Sequence, residues 1–503
     1  MQISAHRIAH RVFSAERVPS RLLLPTRLPR WAVSRQVRAR VFAQPLALVV
    51  ITFIGLQSAR FAAGLPVHSS CRANAMKFEG WDAVQLSNEW LRLTIVPQIG
   101  GRLMQVEFAG HPFLFVNPRY KGNYIAPAEA AKLGRWINYG GDKLWPLPEG
   151  QGDGHWPGPI SDALDDGEYS LTTRTLNSRC TASLQGPPDP RTGLRYAREI
   201  SIGSDSPEIS FHAVMKNASD HPIYWSVQSV TQYDTADSHN PQDYNRNFWA
   251  FAPINADSVY YGGYQVRAGL ADDPSFAVSD GLFRLHWLYL ENEVWLDSKA
   301  GWLAVVDHSS GYSMVETFRH VAQAEYPGKA SIIFYKNGGA LELNEHGMPT
   351  VRSAQPEHAP YYMEAEINSP MVRLAPNESY AFDTAWFPTR VGNDFRGVTS
   401  AGIVSRALSA CSSTDGLRLV GSFAVFFPGK LKAYVFDDGG AEPTVFALKN
   451  ADPREVVNLD QNLTAVKSAS RISIHLEDDQ GIDRGMLGEV KIPKRDQKSA
   501  GCQ

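Results

Sequence analysis

The chain has 503 residues, 43% of them hydrophobic and 20% charged, so it is long enough for two or three domains with buried cores. Its formal charge of −3 is unevenly spread, because residues 1–64 carry ten arginines and one acid and leave 39 basic and 51 acidic side chains in the remainder. An acidic body of this kind argues against nucleic acid as a partner and is compatible with a neutral ligand.

The first 64 residues have the pattern of a secretory signal peptide with an over-long basic region in front of it. The apolar run Pro45–Leu56 is shorter than the ~20 residues that span a bilayer, arginines precede it and small residues follow it. We expect cleavage between Ala59 and Ala75 and a periplasmic or extracellular protein. The alternative is an uncleaved segment, through which alone the protein would contact a membrane.

Four cysteines suit an oxidising compartment and allow three pairings. Cys411 and Cys502 bracket the C-terminal segment, which favours a Cys411–Cys502 bond together with a Cys71–Cys180 bond. No cysteine or histidine spacing indicates a zinc site, and we expect no metal or other cofactor.

Period-2 alternation of apolar and polar residues dominates residues 77–395 and predicts an all-β, antiparallel double-sheet sandwich. The helical candidate is Ala126–Leu133. The predicted strands are Leu91–Ile95, Arg102–Phe108, Glu208–Met215, Ile223–Thr231, Phe283–Leu290, Trp302–Asp307, Tyr312–Phe318, Ser331–Tyr335, Tyr361–Ile367 and Tyr380–Trp386.

The stretch Trp136–Glu149 combines two tryptophans, a tyrosine, a Gly-Gly pair, a charged pair and two prolines. We expect an ordered loop, since glycine permits positive φ and proline imposes an extended path. Aromatic rings beside hydrogen-bonding groups suit a sugar. The alternative is a tryptophan-rich corner of the core. The candidate ligand-binding residues here are Trp136, Asn138, Tyr139, Asp142, Lys143 and Trp145.

Residues 396–414 are rich in Ser, Ala and Gly and are predicted to be a linker. Residues 415–497 then predict a small β-sandwich, which we expect to serve for packing or as a spacer. Its predicted strands are Leu417–Phe427, Lys430–Phe436, Val456–Leu459, Arg471–Leu476 and Gly488–Ile492.

Several motifs in order resemble the galactose mutarotase-like superfamily, and most closely the bacterial family called domain of unknown function 4380. The resemblance covers roughly residues 77–392 and implies a large sandwich with a sugar-binding cleft. The motifs are Pro97–Arg102, Gly110–Phe115, Asn138–Pro146, Asn217–Ile223, Val230–Gln232, Glu325–Pro327, Tyr361–Glu366 and Leu374–Ser379.

The superfamily's enzymes are expected to use a glutamate as base and a histidine as acid. The resemblance places the glutamate at Glu364, and Glu366 lies on the same side of the predicted strand, ~7 Å away. These carboxylates line the cleft or, alternatively, form a pair on an exposed edge strand.

The histidine positions of the superfamily fall on Tyr139 and Gln228, which can bond a sugar but cannot shuttle protons near neutral pH. His320 is the best remaining histidine as a catalytic candidate. Arg102 also belongs to the predicted cleft. Arg102, Lys143, Arg319 and Lys336 could together bind the carboxylate of a uronic acid, or could each be surface charges.

The sequence therefore predicts a secreted protein that recognises a mono- or oligosaccharide. Active sugar epimerisation, or glycan cleavage by lyase or hydrolase chemistry with Glu364 and Glu366, is one alternative. A structural protein with a vestigial cleft is another.

Overall fold

The computed structural model describes residues 70–133, 136–150, 155–158, 160, 162–269, 272–343, 349–352, 361–413, 416–437, 439, 442–464, 466 and 469–492. All of them belong to one compact unit of the chain, residues 66–503. The predicted signal peptide lies outside the described residues.

The regular structure of the described residues is almost entirely β-strand. The first strands are β1 Arg72–Phe78, β2 Trp81–Ser87, β3 Leu91–Val96, β4 Arg102–Phe108, β5 His111–Pro112, β6 Asp142–Leu147, β7 Ser170–Leu176, β8 Arg179–Gln185, β9 Leu194–Gly203, β10 Ile209–Asn217 and β11 Ile223–Asp234. They are followed by β12 Phe248–Pro253, β13 Gln265–Ala268, β14 Phe276–Ser279, β15 Leu282–His286, β16 Asn292–Leu296, β17 Trp302–Asp307, β18 Tyr312–Phe318, β19 Ile332–Lys336, β20 Ala340–Leu343, β21 Pro349–Arg352, β22 Tyr362–Asn368, β23 Val372–Leu374 and β24 Ser379–Arg390. The last strands are β25 Gly397–Val398, β26 Gly402–Ser413, β27 Gly416–Val425, β28 Gly429–Phe436, β29 Thr444–Ala451, β30 Val457–Thr464, β31 Arg471–Asp478 and β32 Asp483–Lys491.

Two large antiparallel sheets form the main sandwich, as the alternation predicts. The first sheet has the order β1-β2-β3-β4-β6-β11-β22-β19-β16-β13, with β5 added to β4 and β23 to β11. The second sheet has the order β14-β15-β12-β17-β18-β24-β10-β9-β8-β7. Strands β20 and β21 pair separately.

The C-terminal region is a second, smaller sandwich. Its sheets have the orders β25-β26-β27-β30 and β29-β28-β31-β32. The linker prediction for 396–414 is wrong, because Gly402–Ser413 is a strand that pairs with β27 along its length. Small residues suit this strand, since a Cβ on Gly402 would lie only 1.9 Å from the carbonyl oxygen of Ala424.

The predicted helix is confirmed as one short turn of α-helix, α1, Pro127–Lys132, with proline at its start. Short 3-10 turns occur at Pro118–Tyr120, Tyr261–Gly263 and Pro327–Lys329. Within the described ranges, no helix is both long and apolar enough to cross a membrane.

The stretch Trp136–Glu149 is only in part the loop that its composition predicts, since residues 136–141 belong to no helix or strand. Asp142–Leu147 forms β6, a strand near the middle of the first sheet with every residue buried. A strand covered on both faces lacks the alternation that marks a half-buried strand. The tryptophan-rich core corner is therefore the better description of Trp145.

One predicted disulfide is confirmed. Cys71 and Cys180 are bonded, with their Cα atoms 5.8 Å apart, and the bond closes a segment of 109 residues. Cys502 lies outside the described residues, so the Cys411–Cys502 bond stays a prediction.

The two largest hydrophobic clusters among the described residues hold the molecule together. The larger lies mainly between the two large sheets. The second core combines the small sandwich with residues from strands of the second sheet, among them Phe251, Val306 and Val315. Phe395, in the connection between the sandwiches, stacks on Phe251 with ring centroids 4.2 Å apart. The small sandwich is thus packed on the large one rather than tethered to it.

Replacing Phe395 should test this shared core. Phe395 is 3% exposed, so Phe395→Ala should lower the free energy of unfolding by ~3–5 kcal/mol and lower the melting temperature of both sandwiches together. Tyr261→Ala is the control, since this fully exposed ring should cost under ~0.5 kcal/mol. Two separate melting transitions, of which the variant shifts one, would contradict the shared core.

Candidate functional site

The buried carboxylate of Asp165 organises the surroundings of β6. It accepts hydrogen bonds from Arg102 Nη2 at 2.6 Å, Trp136 Nε1 at 2.6 Å and Trp145 Nε1 at 2.9 Å. Burial alone would raise the pKa of Asp165, but the charges of Arg102 and Lys143 and the two indole hydrogen bonds lower it. Asp165 therefore stays ionised and fixes both indoles.

The turn that carries Asp165 is held against the first sheet by a close backbone approach. Gly100, with φ of +78°, lies so near that a Cβ atom there would be 1.8 Å from the carbonyl oxygen of Asp165. The side chain of Asp162 closes the turn by accepting from the amides of Leu164 and Asp165 at 2.9 and 3.0 Å. Only glycine at position 100 admits this arrangement.

The outer face of the first sheet, turned away from the second sheet, carries a group of polar side chains that we call the polar face. The strand register defines it: Val230 lies between Lys143 and Glu366, Gln228 lies between Trp145 and Asn368, and Gln232 is opposite Glu364. Directly opposed residues share a face. The polar face consists of Lys143, Gln228, Gln232, Glu364, Glu366 and Asn368, and all six are buried.

Each glutamate of the polar face is bonded to a glutamine on the neighbouring strand. Gln228 Nε2 donates to Glu366, and Gln232 Nε2 donates to Glu364. The remaining polar atoms are less well satisfied. Four of them are buried and have no hydrogen-bond partner among the described residues: Lys143 Nζ, Gln228 Oε1, Gln232 Oε1 and Asn368 Oδ1.

Electrostatics favour neutral carboxyl groups here. Burial, followed by the nearby carboxylates of Glu364, Glu293 and Glu149, raises the pKa of Glu366 well above its usual value. Burial also raises the pKa of Glu364, although the charge of Lys143 opposes this. The two glutamates therefore hold protons to a higher pH than exposed carboxyl groups do.

Lys143 is a buried ammonium held by rings. Its Nζ lies 3.8 Å from the ring centroid of Trp145, 4.5 Å from that of Trp136 and 3.8 Å from Asp165 Oδ1. Burial lowers the pKa of Lys143 to about 8, although Asp165 opposes the shift. Cation–π contact and a long ion pair thus replace direct hydrogen bonds.

A cleft of about 930 Å³ adjoins the polar face. Trp136, which contacts Lys143, and Tyr335, which is opposite Glu364 in the register, belong to its wall. Its other aromatic and amide residues are Phe115, Tyr120, Tyr361, Tyr362, Asn117, Asn138, Gln242 and Asn337. Such a lining offers both ring faces and hydrogen-bonding groups to a ligand.

The structure brings together four of the residues that the sequence singles out. Lys143, Gln228, Glu364 and Glu366 share the polar face. Trp136 and Asn138 line the adjoining cleft. The alternative of exposed edge-strand carboxylates is wrong for Glu364 and Glu366, because β22 lies between β11 and β19 and both side chains are 6% exposed.

Four other predicted ligand-binding residues are structural instead. Arg102 is fully buried, and its guanidinium donates to Ile99 O, Gly140 O, Asp165 and Asp166. Tyr139 is fully buried, and its hydroxyl accepts from the amide of Ile125 at 2.9 Å. Asp142 points into the sandwich, where it pairs with Arg198, and Trp145, buried on the outer face, donates its indole N–H to Asp165.

The predicted catalytic histidine lies elsewhere. His320 follows β18 of the second sheet and stacks on Tyr326 with ring centroids 5.0 Å apart. The predicted uronic-acid anchor does not form either. Lys336 is buried and donates to Asp273 at 3.0 Å, whereas Arg319 lines a groove on the second sheet.

Sequence reasoning missed Gln232, Glu293 and Asp165. Gln232 could have been found, since it lies four residues after Gln228 on the same face of β11. Asp165 belongs to no regular element, and its role comes from contacts with residues 20 to 63 positions away. No group of three His, Cys, Asp or Glu side chains is arranged to hold a metal ion within the part of the chain that the structure describes.

Solved structures similar to this chain include galactose mutarotase-like and aldose 1-epimerase proteins. A putative mutarotase from Salmonella typhimurium shares 9% identity over 63% of this chain and 94% of its own, with a TM-score of 0.41. A putative aldose 1-epimerase from Klebsiella pneumoniae shares 13% identity over 64% of this chain and 88% of its own, with a TM-score of 0.41. A TPR-domain containing protein from Parabacteroides distasonis shares 14% identity over 63% of this chain, with a TM-score of 0.40, and this chain covers 49% of its length.

No protein-family model matches the sequence, and no curated protein matches it. The finer resemblance to the domain of unknown function 4380 is therefore not confirmed.

Lys143→Met should raise stability near neutral pH. Because the pKa of Lys143 is about 8 in the folded state against 10.5 ordinarily, the unfolded chain binds more protons between these values, and the wild type gains stability as pH rises. The variant should be more stable by ~1–3 kcal/mol below pH 8, and its advantage should shrink towards pH 10.5, as measured by denaturant unfolding.

Lys336→Met is the contrasting variant. Its Nζ donates directly to Asp273, so its removal leaves a buried carboxylate without its cation and should lower stability. A loss of stability in Lys143→Met equal to that in Lys336→Met would show that the ammonium of Lys143 is well paired.

Proposed function

We propose that the protein recognises a carbohydrate at the polar face and the adjoining cleft. The observation that carries this proposal is the set of four unpartnered, buried polar atoms on Lys143, Gln228, Gln232 and Asn368. More than about 90% of buried polar groups in proteins have partners. Unpartnered buried polar atoms also lie elsewhere among the described residues, but the grouping of four on one face favours a polar ligand. A sugar hydroxyl both donates and accepts, which matches this mixed set.

The cleft wall supports a sugar over other small polar ligands. Trp136, Tyr335 and Tyr361 are half-buried and present partly exposed rings, while Asn138 and Asn337 add amide groups. The C–H face of a pyranose packs on such rings while its hydroxyls reach the amides. Membership of the family called domain of unknown function 4380 belongs to the same proposal.

We also propose that the protein works in the periplasm or outside the cell. The Cys71–Cys180 bond supports this, because disulfides persist in oxidising compartments. The apolar run Pro45–Leu56 and its flanks support it independently.

A sugar that binds should stabilise the protein, by about 2.7 kcal/mol at a concentration of 100 Kd. Tyr361→Ala, which removes a ring from the cleft wall, should weaken the ligand-induced rise in melting temperature. Tyr434→Ala is the matched control, since Tyr434 is a half-buried tyrosine of β28 in the small sandwich, and it should leave that rise unchanged. If no mono- or oligosaccharide stabilises the wild type, the vestigial-cleft alternative is favoured.

Sugar epimerisation is the second candidate function, and Glu364 and Glu366 support it. Glu364 would take the proton from the anomeric hydroxyl while Glu366 protonates the ring oxygen; the C1–O5 bond breaks, and closure on the opposite face reverses the transfers. The paired carboxyl groups play these roles without histidine, because burial and the neighbouring carboxylates hold the pKa of Glu366 well above its usual value.

Polarimetry of freshly dissolved α-glucose and α-galactose tests this second function. Glu366→Gln keeps the shape but removes the acid, and should lower the rate of mutarotation by ~10²-fold or more while binding persists. The wild-type rate should fall as pH rises and Glu366 loses its proton. Glu199→Gln, an exposed change on the second sheet, is the control. A wild-type rate equal to that of buffer would leave binding alone as the function.

A further inference from the structure

The unpartnered atoms of the polar face are mostly acceptors. Gln228 Oε1, Gln232 Oε1 and Asn368 Oδ1 can only accept hydrogen bonds, whereas Lys143 Nζ is the single donor of the four. Both glutamine amides already donate to the carboxyl groups of Glu364 and Glu366, so their carbonyl oxygens remain for a ligand. A ligand that fits this inventory brings more donors than acceptors.

The charges around the polar face also favour a ligand that donates hydrogen bonds. Glu293 is opposite Tyr335 on the register that continues the polar face, and its carboxyl accepts from Trp295. Glu149, Glu293, Glu364 and Glu366 influence one another's ionisation. The cations facing them are Lys143 and Arg267, the latter lying 4.3 Å from the ring centroid of Trp295. The wall of the adjoining cleft adds two cations, Arg119 and Lys121, and one carboxyl group, Asp234. The charge of Asp165 is already neutralised by its ion pair with Arg102. Carboxyl groups therefore outnumber cations around the polar face.

We propose that the polar face selects a sugar that bears a free amine, bound as its ammonium form. The inference rests on the proposed function, since it names the class of sugar that this same site takes. An ammonium offers three N–H donors to the unpartnered carbonyl oxygens and to Glu364 and Glu366, and hydrogen bonds from a charged donor to a carboxylate are stronger than neutral ones. A uronic acid would meet more carboxyl groups than cations, and is disfavoured.

The ammonium of Lys143 competes with a ligand ammonium for the same carboxyl groups. Its ammonium lies against the rings of Trp136 and Trp145 and contributes a positive charge to the same acidic surroundings. A ligand ammonium entering from the wall formed by Trp136 meets that charge. Removing it should strengthen the binding of an amine, whereas an anion-binding site would lose affinity by the same change.

Binding of an ammonium also shifts protons. In the free protein, burial and neighbouring carboxylates raise the pKa values of Glu364 and Glu366, so protons are retained. A bound ammonium favours the ionised carboxylates and lowers these pKa values, while Lys143, Arg267, Glu149, Glu293 and Asp165 remain as the titratable and charged neighbours. Protons should therefore be released on binding, and more of them for an amino sugar than for its neutral counterpart.

Isothermal titration calorimetry of the full chain with a matched sugar panel tests the proposal. The panel is glucosamine, galactosamine, glucose, galactose, N-acetylglucosamine and glucuronate, each titrated in two buffers of different ionisation enthalpy. We expect the amines to bind about tenfold more tightly than glucose and galactose, as one charge-assisted hydrogen bond allows, and to release more protons. N-acetylglucosamine should bind no more tightly than glucose, because its amide carries no charge.

Two variants should move the preference in opposite directions. Glu366→Gln should lower the ratio of glucosamine to glucose affinity, and Lys143→Met should raise it. Glu199→Gln should leave the ratio unchanged, and thermal melting verifies that each variant is folded. Because the ratio falls in one variant and rises in the other, a general loss of structure cannot imitate the result.

The results that would contradict the amine preference differ from those that would contradict carbohydrate recognition. Equal affinity for glucosamine and glucose, or tightest binding of glucuronate, would overturn the amine preference while leaving carbohydrate recognition intact. A Lys143→Met variant that loses amine affinity would overturn it as well. Absence of binding by every sugar of the panel and by larger glycans would refute the proposed function itself.

Discussion

The carboxylate of Asp165 is the interaction on which the site depends. A guanidinium, two indole N–H groups and a nearby ammonium converge on one buried charge. Desolvating a carboxylate costs several kcal/mol, and this cost is offset only when opposite charges and donors surround it. The same contacts fix the ring of Trp136 at the cleft wall and hold Trp145 and Lys143 on the outer face of the first sheet, so the geometry of the site follows from satisfying one buried acid.

Alternation of apolar and polar residues predicts the fold well where one face of a strand is buried. Trp302–Asp307 and Tyr312–Phe318 are strands with the predicted bounds. The prediction fails for Asp142–Leu147, because both faces of this strand are covered and its buried Asp142 is paired with Arg198, which is distant in sequence. It fails again at Gly402–Ser413, whose small residues resemble those of a linker but allow close approach to Ala424. Local sequence carries no information about such contacts.

Part of the candidate site can be predicted from the two-residue period of a strand. Glu364 and Glu366, two positions apart on a strand, must share a face, and so must Gln228 and Gln232. What the sequence cannot supply is which strands are neighbours. The register that sets Gln232 opposite Glu364, and Gln228 between Trp145 and Asn368, arises from long-range pairing. Arg102 was misassigned for the same reason, since its partners Asp165 and Asp166 are more than 60 positions away.

Asp142 and Lys143 are adjacent in the sequence but lie on opposite faces of β6, and their surroundings differ. On the inner face of β6, Asp142 pairs directly with Arg198 of the second sheet and accepts from Ser229 and Thr231. On the outer face, the ammonium of Lys143 has only rings and a carboxylate 3.8 Å away, and the nearby glutamates have neutral amides. The cost of burying charge is thus offset by protein groups on one face and left partly uncompensated on the other. A ligand that supplies the missing hydrogen bonds recovers this free energy on binding, which is why the outer face is the one to which we assign a ligand.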